Sequence, residues 1–307
     1  MNIAFMGTPD FAVPTLEKLH EDRDISIKYV VTKYDSKSKR GQEIIFSPVK
    51  NKALEYNIEI LQPLKIKDDR EVIAKLRNAD LDFIIVVAYG EILSKEILDI
   101  PKCACINGHA SLLPKYRGAS PIQSAILYGD KVTGTTSMLM DVGLDTGDIL
   151  EQSEIAIEDK ETSDSLFEKL SYLTADTVYH TIKNFDKIRH VKQDDSKSSK
   201  SCIIKKEFGE IDFKNEDAAY IERKVRAYTS WPSAYIYIDS IQHKIWDVDV
   251  IDSDVNLDGA LKITDDVYVL GKEIYARCKD GIIRINEIQK SGKNRLKARD
   301  FINGLKI

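Results

Sequence analysis

DFIIVVA, residues 82–88, is one aspartate followed by an unbroken apolar run. A strand with one face in water alternates apolar and polar residues, so a short run that is apolar on both faces belongs to a sheet covered on both sides. Similar runs flank it: NIAFM (2–6), ISIKYVVT (25–32), CACIN (103–107), TTSMLM (135–140) and ILEQSEIAI (149–157). The segments between them, FAVPTLEKL, SPVKNKALEYN, DDREVIAKLR and SPIQSAILYG, repeat apolar residues every three or four positions, as one-sided helices do. TSDSLFEKLSYLTADTVYHTIKNF opens on the cap candidates Thr162 and Ser163 and predicts the longest helix. Strand and helix in alternation predict a doubly wound, mostly parallel, Rossmann-like α/β domain.

With 307 residues the chain has room for two domains. The character changes at DKIRHVKQDDSKSSKSCIIKK (186–206), a polar, Ser/Lys-rich stretch that reads as a linker. Beyond it SAYIYI, HKIWDVDVI, DVYVLG and GIIRINEIQ are short β runs split by polar turns, followed by a helical KARDFINGL. The expected division is 1–189, linker 190–206, and over 207–307 a smaller antiparallel β-barrel (OB-like) or sandwich.

Hydrophobic residues make up 43%, and no apolar run approaches the roughly 18 residues of a membrane span. MNIAFMGTPDFAVP lacks the basic start and cleavage site of a secretory signal. A cytoplasmic protein is expected. Cys103, Cys105, Cys202 and Cys278 form no CxxC pair, so no metal site is expected. A net charge of -5 argues against a general nucleic-acid binder but leaves room for local basic patches.

The chemistry-bearing stretch is NGHASLLPKYRGASPIQ (107–123). If the strand continues, Asn107 and His109 share a face about 6.6 Å apart, at about 3.3 Å per residue. Ligands of open α/β sheets bind beyond the carboxyl ends of the strands, where this pair falls. Cys105 shares the face but lies about 13 Å away along the strand, whereas a nucleophile and its base need about 3 Å. Histidine as proton carrier and asparagine as donor to a developing oxyanion need no covalent intermediate. In MDVGLDTGD (140–148), Asp141, Asp145 and Asp148 are each a candidate carboxylate to orient the histidine, or a turn former beside glycine. GTPDF (7–11) is not GxGxxG, which argues against a nicotinamide dinucleotide.

HASLLPKYRGASPIQ, GLDTG, FMGTPDFA, VVAYGEIL and SPVK, with KKEFGEIDF, VRAYTSWPSAY and KARDFINGL in the second domain, resemble the methionyl-tRNA formyltransferases over the whole chain. That resemblance implies formyl transfer from 10-formyltetrahydrofolate to the amino group of methionine on initiator tRNA, by direct attack through a tetrahedral intermediate. It implies a catalytic Asn107, His109 and Asp145. It also implies a folate site at Ser111, Leu112, Leu113 and Pro114, with VVAYGEIL (Tyr89, Gly90, Ile92) as another wall. Gly108 stands where the family usually has valine, which is expected to loosen the strand end. In TKYDSKSKRGQEIIFSPVK (32–50) the family's prolines and one glycine are gone while Arg40-Gly41 survive, and Lys33, Lys37, Lys39 and Arg40 are candidate tRNA phosphate contacts. Lys293 and Arg295, in QKSGKNRLKAR, are candidates for the same role. A monomer is expected. The alternatives on the same fold are an amino-sugar formyltransferase or a formyltetrahydrofolate hydrolase. A non-catalytic RNA- or folate-binding protein is the alternative outside enzymology.

Overall fold

The computed structural model describes residues 1–37, 44–251 and 255–305. The chain forms two compact units. The first holds Met1–Pro121, Val132–Ala156 and Phe167–Ser201; the second takes in Ile122–Lys131, Ile157–Leu166 and the chain from Cys202.

The first unit is built on β1 (Asn2–Gly7), β2 (Ser26–Val31), β3 (Ile60–Leu61), β4 (Phe83–Val87), β5 (Ala104–His109), β6 (Val132–Leu139) and β7 (Ile149–Ala156). Their order across the sheet is β7-β6-β5-β4-β1-β2-β3. The five strands from β3 to β5 pair in parallel, and β6 and β7 join antiparallel. All five residues of β4 are buried, as its composition predicts. Ile84 and Val86 face a core shared with Met6, Leu76 and Ile97, so by alternation Phe83, Ile85 and Val87 face the other side of the sheet.

The helices are α1 (Val13–Glu21), α2 (Pro48–Glu55), α3 (Arg70–Asn78), α4 (Lys95–Leu98), α5 (Pro121–Leu127) and α6 (Ser163–Lys183). Ser47 caps α2 by accepting from Lys50 N, and Asp69 caps α3 by accepting from Val72 N, both at 3.1 Å. Each satisfies an amide that the first turn leaves without a partner. The chain leaves β1 for β2 and β3 on one side, then returns to β4 on the other, so the topological switch point lies between β1 and β4. The turn that follows β4 carries Tyr89 and Gly90.

The second unit is a curled antiparallel half-barrel of seven strands among the described residues, six of them in one sheet order with the short Leu296–Lys297 pairing off that path against Ile282–Lys290. The six are Ala234–Ile238, Ile241–Ile251, Ile282–Lys290, Glu273–Arg277, Val267–Leu270 and Leu261–Lys262. The strands Leu261–Lys262 and Glu273–Arg277 and the helix α7 (Ala218–Ala227) have no counterpart in the sequence reading. Ala218, Ile221 and Val225 on α7 join the core with Ile245, Ile283 and Ile285. A short helix, α8 (Ala298–Asn303), adds Phe301 to that core. No helix among the described residues is long and apolar enough to cross a membrane.

Candidate active site

β5 stays extended through His109, so Asn107 and His109 share a face as alternation requires. Gly108 does not loosen the strand end. Thr174 and Val178 of α6 occupy the space a side chain would need: a Cβ on Gly108 would stand 2.6 Å from Thr174 Cγ2 and 3.0 Å from Val178 Cγ2. The helix therefore packs against bare backbone. Thr135 on β6 adds a tie, donating to His109 O at 3.0 Å, with its hydroxyl 2.9 Å from that of Thr174.

Of the three aspartates left open by the sequence, Asp145 reaches the pair. Asp141 is occupied by its own turn, accepting from Gly143 N at 2.9 Å and from Thr146 Oγ1 at 2.7 Å. The loop lies tight against the end of β6; a Cβ on Gly147 would stand 1.9 Å from Leu139 O, which restricts that position to glycine. Asp145 adopts φ +54°, a left-handed conformation that aspartate tolerates better than most residues. Its Oδ2 accepts from Gly118 N at 2.8 Å and lies 3.7 Å from His109 Nδ1. Its Oδ1 lies 3.5 Å from Asn107 Nδ2.

The other ring nitrogen sets the tautomer. His109 Nε2 is 3.0 Å from Tyr116 O, and a carbonyl can only accept, so Nε2 carries the hydrogen. In the neutral ring Nδ1 is then bare and turned to the Asp145 carboxylate. When Nδ1 gains a proton, the imidazolium has an acceptor at both nitrogens. The 3.7 Å separation is long for a hydrogen bond, as catalytic pairs often are before substrate closes on them. Both groups are largely removed from water, with side-chain exposures of 7% and 14%, which strengthens the attraction once the ring is charged.

The 111–114 loop is fastened to the sheet by its backbone. Thr136 Oγ1 donates to Ser111 O at 2.6 Å and accepts from Leu113 N at 3.0 Å. Gln152 Nε2 donates to Leu113 O and to Thr136 Oγ1, each at 2.9 Å. Ser111 and Leu113 are buried, whereas Leu112 and Pro114 are partly open. At the switch point the Tyr89 ring lies inside the core, where burial pushes its phenol up and its hydroxyl has no hydrogen-bond partner among the described residues. Gly90 turns at φ +79°, and Ile92 is 71% exposed. Val142 and Leu144, beside Asp145 in sequence, are also exposed. Exposed apolar side chains on the loops that flank a polar centre have the chemistry to receive a flat, largely apolar ring system such as a folate.

Cys105 is closed to catalysis: it is 3% exposed, and burial pushes its thiol up to about 12. Lys39 and Arg40 lie outside the described residues. In the second unit Lys293 is exposed, and Arg295 pairs with Glu287 while its guanidinium lies 5.0 Å from the centre of the Trp246 ring. Sequence reasoning missed the roles of Thr135, Thr136 and Gln152. For the two threonines a signal was present: hydroxyls in the middle of a buried strand need partners, and backbone carbonyls are the commonest.

Residues 1–182 match the formyl transferase family, and residues 203–306 match the formyl transferase C-terminal domain. A methionyl-tRNA formyltransferase of Clostridium tetani (strain Massachusetts / E88) is 44% identical, over 100% of this chain and 97% of that protein. The chain belongs to the methionyl-tRNA formyltransferase family. It is therefore an enzyme, a formyl transferase. Among solved structures, an N-formyltransferase from Helicobacter canadensis, in complex with folinic acid and dTDP-3-aminofucose, superposes with a TM-score of 0.67 at 18% identity. That match covers 94% of this chain and 98% of that one. The methionyl-tRNA formyltransferase from Clostridium thermocellum superposes with a TM-score of 0.58 at 20% identity, over 83% and 95%. At these identities the two structures establish the fold. Within the family fold, the polar centre sits at the end of β5, next to β4 at the switch point, with its third member delivered by the loop after β6.

Proposed function

We propose that the protein transfers the formyl group of 10-formyltetrahydrofolate to the α-amino group of methionine on initiator methionyl-tRNA, as an enzyme of cytoplasmic translation initiation. The observation that carries this is the meeting of Asn107 Nδ2, His109 Nδ1 and the Asp145 carboxylate in a chain that matches a methionyl-tRNA formyltransferase from end to end. When bound, the folate supplies an electrophilic formyl carbon, and the methionine amine attacks it. Asn107 has two amide hydrogens; one faces Asp145, and the other is available to the oxyanion that develops on the formyl oxygen. His109, fixed as the Nε2–H tautomer by Tyr116 O, takes the amine's proton on Nδ1 and returns a proton to the departing folate nitrogen. Asp145 holds the ring while it is charged. Ser111, Leu112, Leu113 and Pro114 after β5, with Ile92, Gly90 and the backbone of Tyr89 after the neighbouring β4, form the folate site in this reading. Lys293 and Arg295, with Lys39 and Arg40, contact tRNA phosphates, which position the RNA without reading its sequence.

The test offers 10-formyltetrahydrofolate and three acceptors: initiator methionyl-tRNA, an amino-sugar nucleotide, and water alone. Formylmethionyl-tRNA as the dominant product supports the assignment; formylated sugar, or free formate at the same rate with or without tRNA, contradicts it. For the RNA contacts, Lys293→Ala should raise KM for tRNA and flatten its dependence on salt by about one unit of log–log slope, with KM for the folate unchanged. Equal effects on both substrates would contradict a phosphate contact.

A further inference from the structure

Asp145 and Tyr116 are left-handed non-glycine residues at φ +54° and +58°, and each presents an atom to His109. Such conformations persist where neighbouring structure imposes them. Part of that structure comes from the polar stretch after α6. Val191 bridges to Ile149, N to O in both directions, at 2.8 and 2.9 Å. Two residues on, the half-buried Gln193 donates through Nε2 to Asp145 O at 2.9 Å and to Gly147 O at 2.8 Å. Its Oε1 accepts from Arg117 Nε at 3.0 Å and Nη2 at 2.8 Å. Both amide hydrogens and both oxygen lone pairs are thus engaged. Arg117 sits between Tyr116, whose carbonyl meets His109, and Gly118, whose amide donates to Asp145 Oδ2. One side chain therefore joins the two loops whose relative position sets the His109–Asp145 geometry.

We infer that Gln193 is a positioning residue of the active centre, holding the Asp145 loop against Arg117 so that the Asp145 carboxylate faces His109 Nδ1. The inference rests on the catalytic roles proposed above. Only a carboxamide satisfies both sides of this junction, because a glutamate of the same length would keep the guanidinium contact but turn carboxylate oxygens toward two carbonyls.

The experiment measures kcat and the KM of each substrate for wild type, Gln193→Ala and Gln193→Glu, and for Gln193→Ala in an Asp145→Ala background. Gln193→Ala is expected to lower kcat about 10- to 100-fold, the usual range for supporting hydrogen bonds, with both KM values within about threefold. In the Asp145→Ala background the same change should alter kcat by less than about twofold, because the effect is transmitted through Asp145. Gln193→Glu should lose as much as Gln193→Ala, and it carries the test should the alanine variant not fold. Wild-type kcat in either variant, or an equal loss with and without Asp145, overturns the inference. A crystal structure of Gln193→Ala or Gln193→Glu gives a readout that does not need activity. Asp145 is expected to leave the left-handed region and its carboxylate to withdraw from His109. An unmoved Asp145 refutes the positioning role, whereas an inactive wild type refutes the proposed reaction.

Discussion

Asp145 and Asp249 are both part-buried aspartates with nitrogen donors around them, yet their surroundings suit them to different roles. Asp249, in the second unit, accepts from Asn286 Nδ2 at 2.8 Å, Lys160 Nζ at 2.9 Å and Arg284 Nη2 at 3.0 Å. The Asn286 amide first, then the two cations, hold its carboxyl well below the usual carboxylate range. It is a closed arrangement with a local structural role. Asp145 has one short bond, from Gly118 N, and two longer approaches, from Asn107 and from a histidine nitrogen that is bare until a proton arrives. An aspartate surrounded by permanent cations cannot respond to a change of charge nearby, and Asp145 is kept free to do so.

The sharpest way to break this comparison is to remove each charge without changing shape. Asp145→Asn keeps an acceptor for Gly118 N and tolerates the left-handed backbone. It should lower the formyl-transfer rate about 10²- to 10⁴-fold, with little change in thermal midpoint. A rate near that of wild type would place Asp145 with the structural aspartates.

The next effect tests the strand that carries the catalytic pair. Gly108→Val, which installs the family's usual residue, would press on Thr174 Cγ2 and should destabilise the first unit by about 1–3 kcal/mol in urea unfolding. Gly108→Val with Thr174→Ala should recover much of that loss. If the single variant is as stable as wild type, Thr174 and Val178 are not what fills the site.

The smallest effect is expected at Asp249. Its side chain is 33% exposed, so Asp249→Asn should lower stability at pH 7 by about 1 kcal/mol or less, leaving kcat within about twofold. A depressed carboxyl stabilises the fold above the unfolded aspartate value of about 4, and that stability is lost as pH falls through the lower folded value. The gap between wild type and Asp249→Asn, followed by denaturant titration from pH 7 to pH 2, should therefore narrow below about pH 4. A gap that widens in acid would show that the Asp249 carboxyl is not held down by its partners.

The same contrast explains what could be read in advance. β4 was legible because a fully apolar run has few other ways to be buried, β5 because its first residues are apolar, and α6 because its cap and its period agree. Asn107 and His109 were placed by strand alternation alone, and Asp145 by the family resemblance, since nothing in spacing distinguishes it from Asp141 and Asp148. Gln193 was not legible: it lies 48 residues beyond Asp145, in a Ser/Lys/Asp-rich stretch with the composition of a solvated linker. Its role comes from where the backbone docks, at Val191 and along Ser199–Ser201, and those contacts leave no periodic trace. Helix α7 did leave one, in the spacing of Ala218, Ile221 and Val225, but it was masked by the short β runs that follow.

The central claim is that His109, set by Tyr116 O and facing Asp145, carries the proton of a formyl-transfer reaction. Single-turnover formation of N-formylmethionyl-tRNA by wild type and His109→Ala, both saturated with 10-formyltetrahydrofolate, tests it most directly. Loss of at least about 100-fold in the variant, with tRNA and folate affinity retained, is the predicted result. A variant that forms product at the wild-type rate would contradict it.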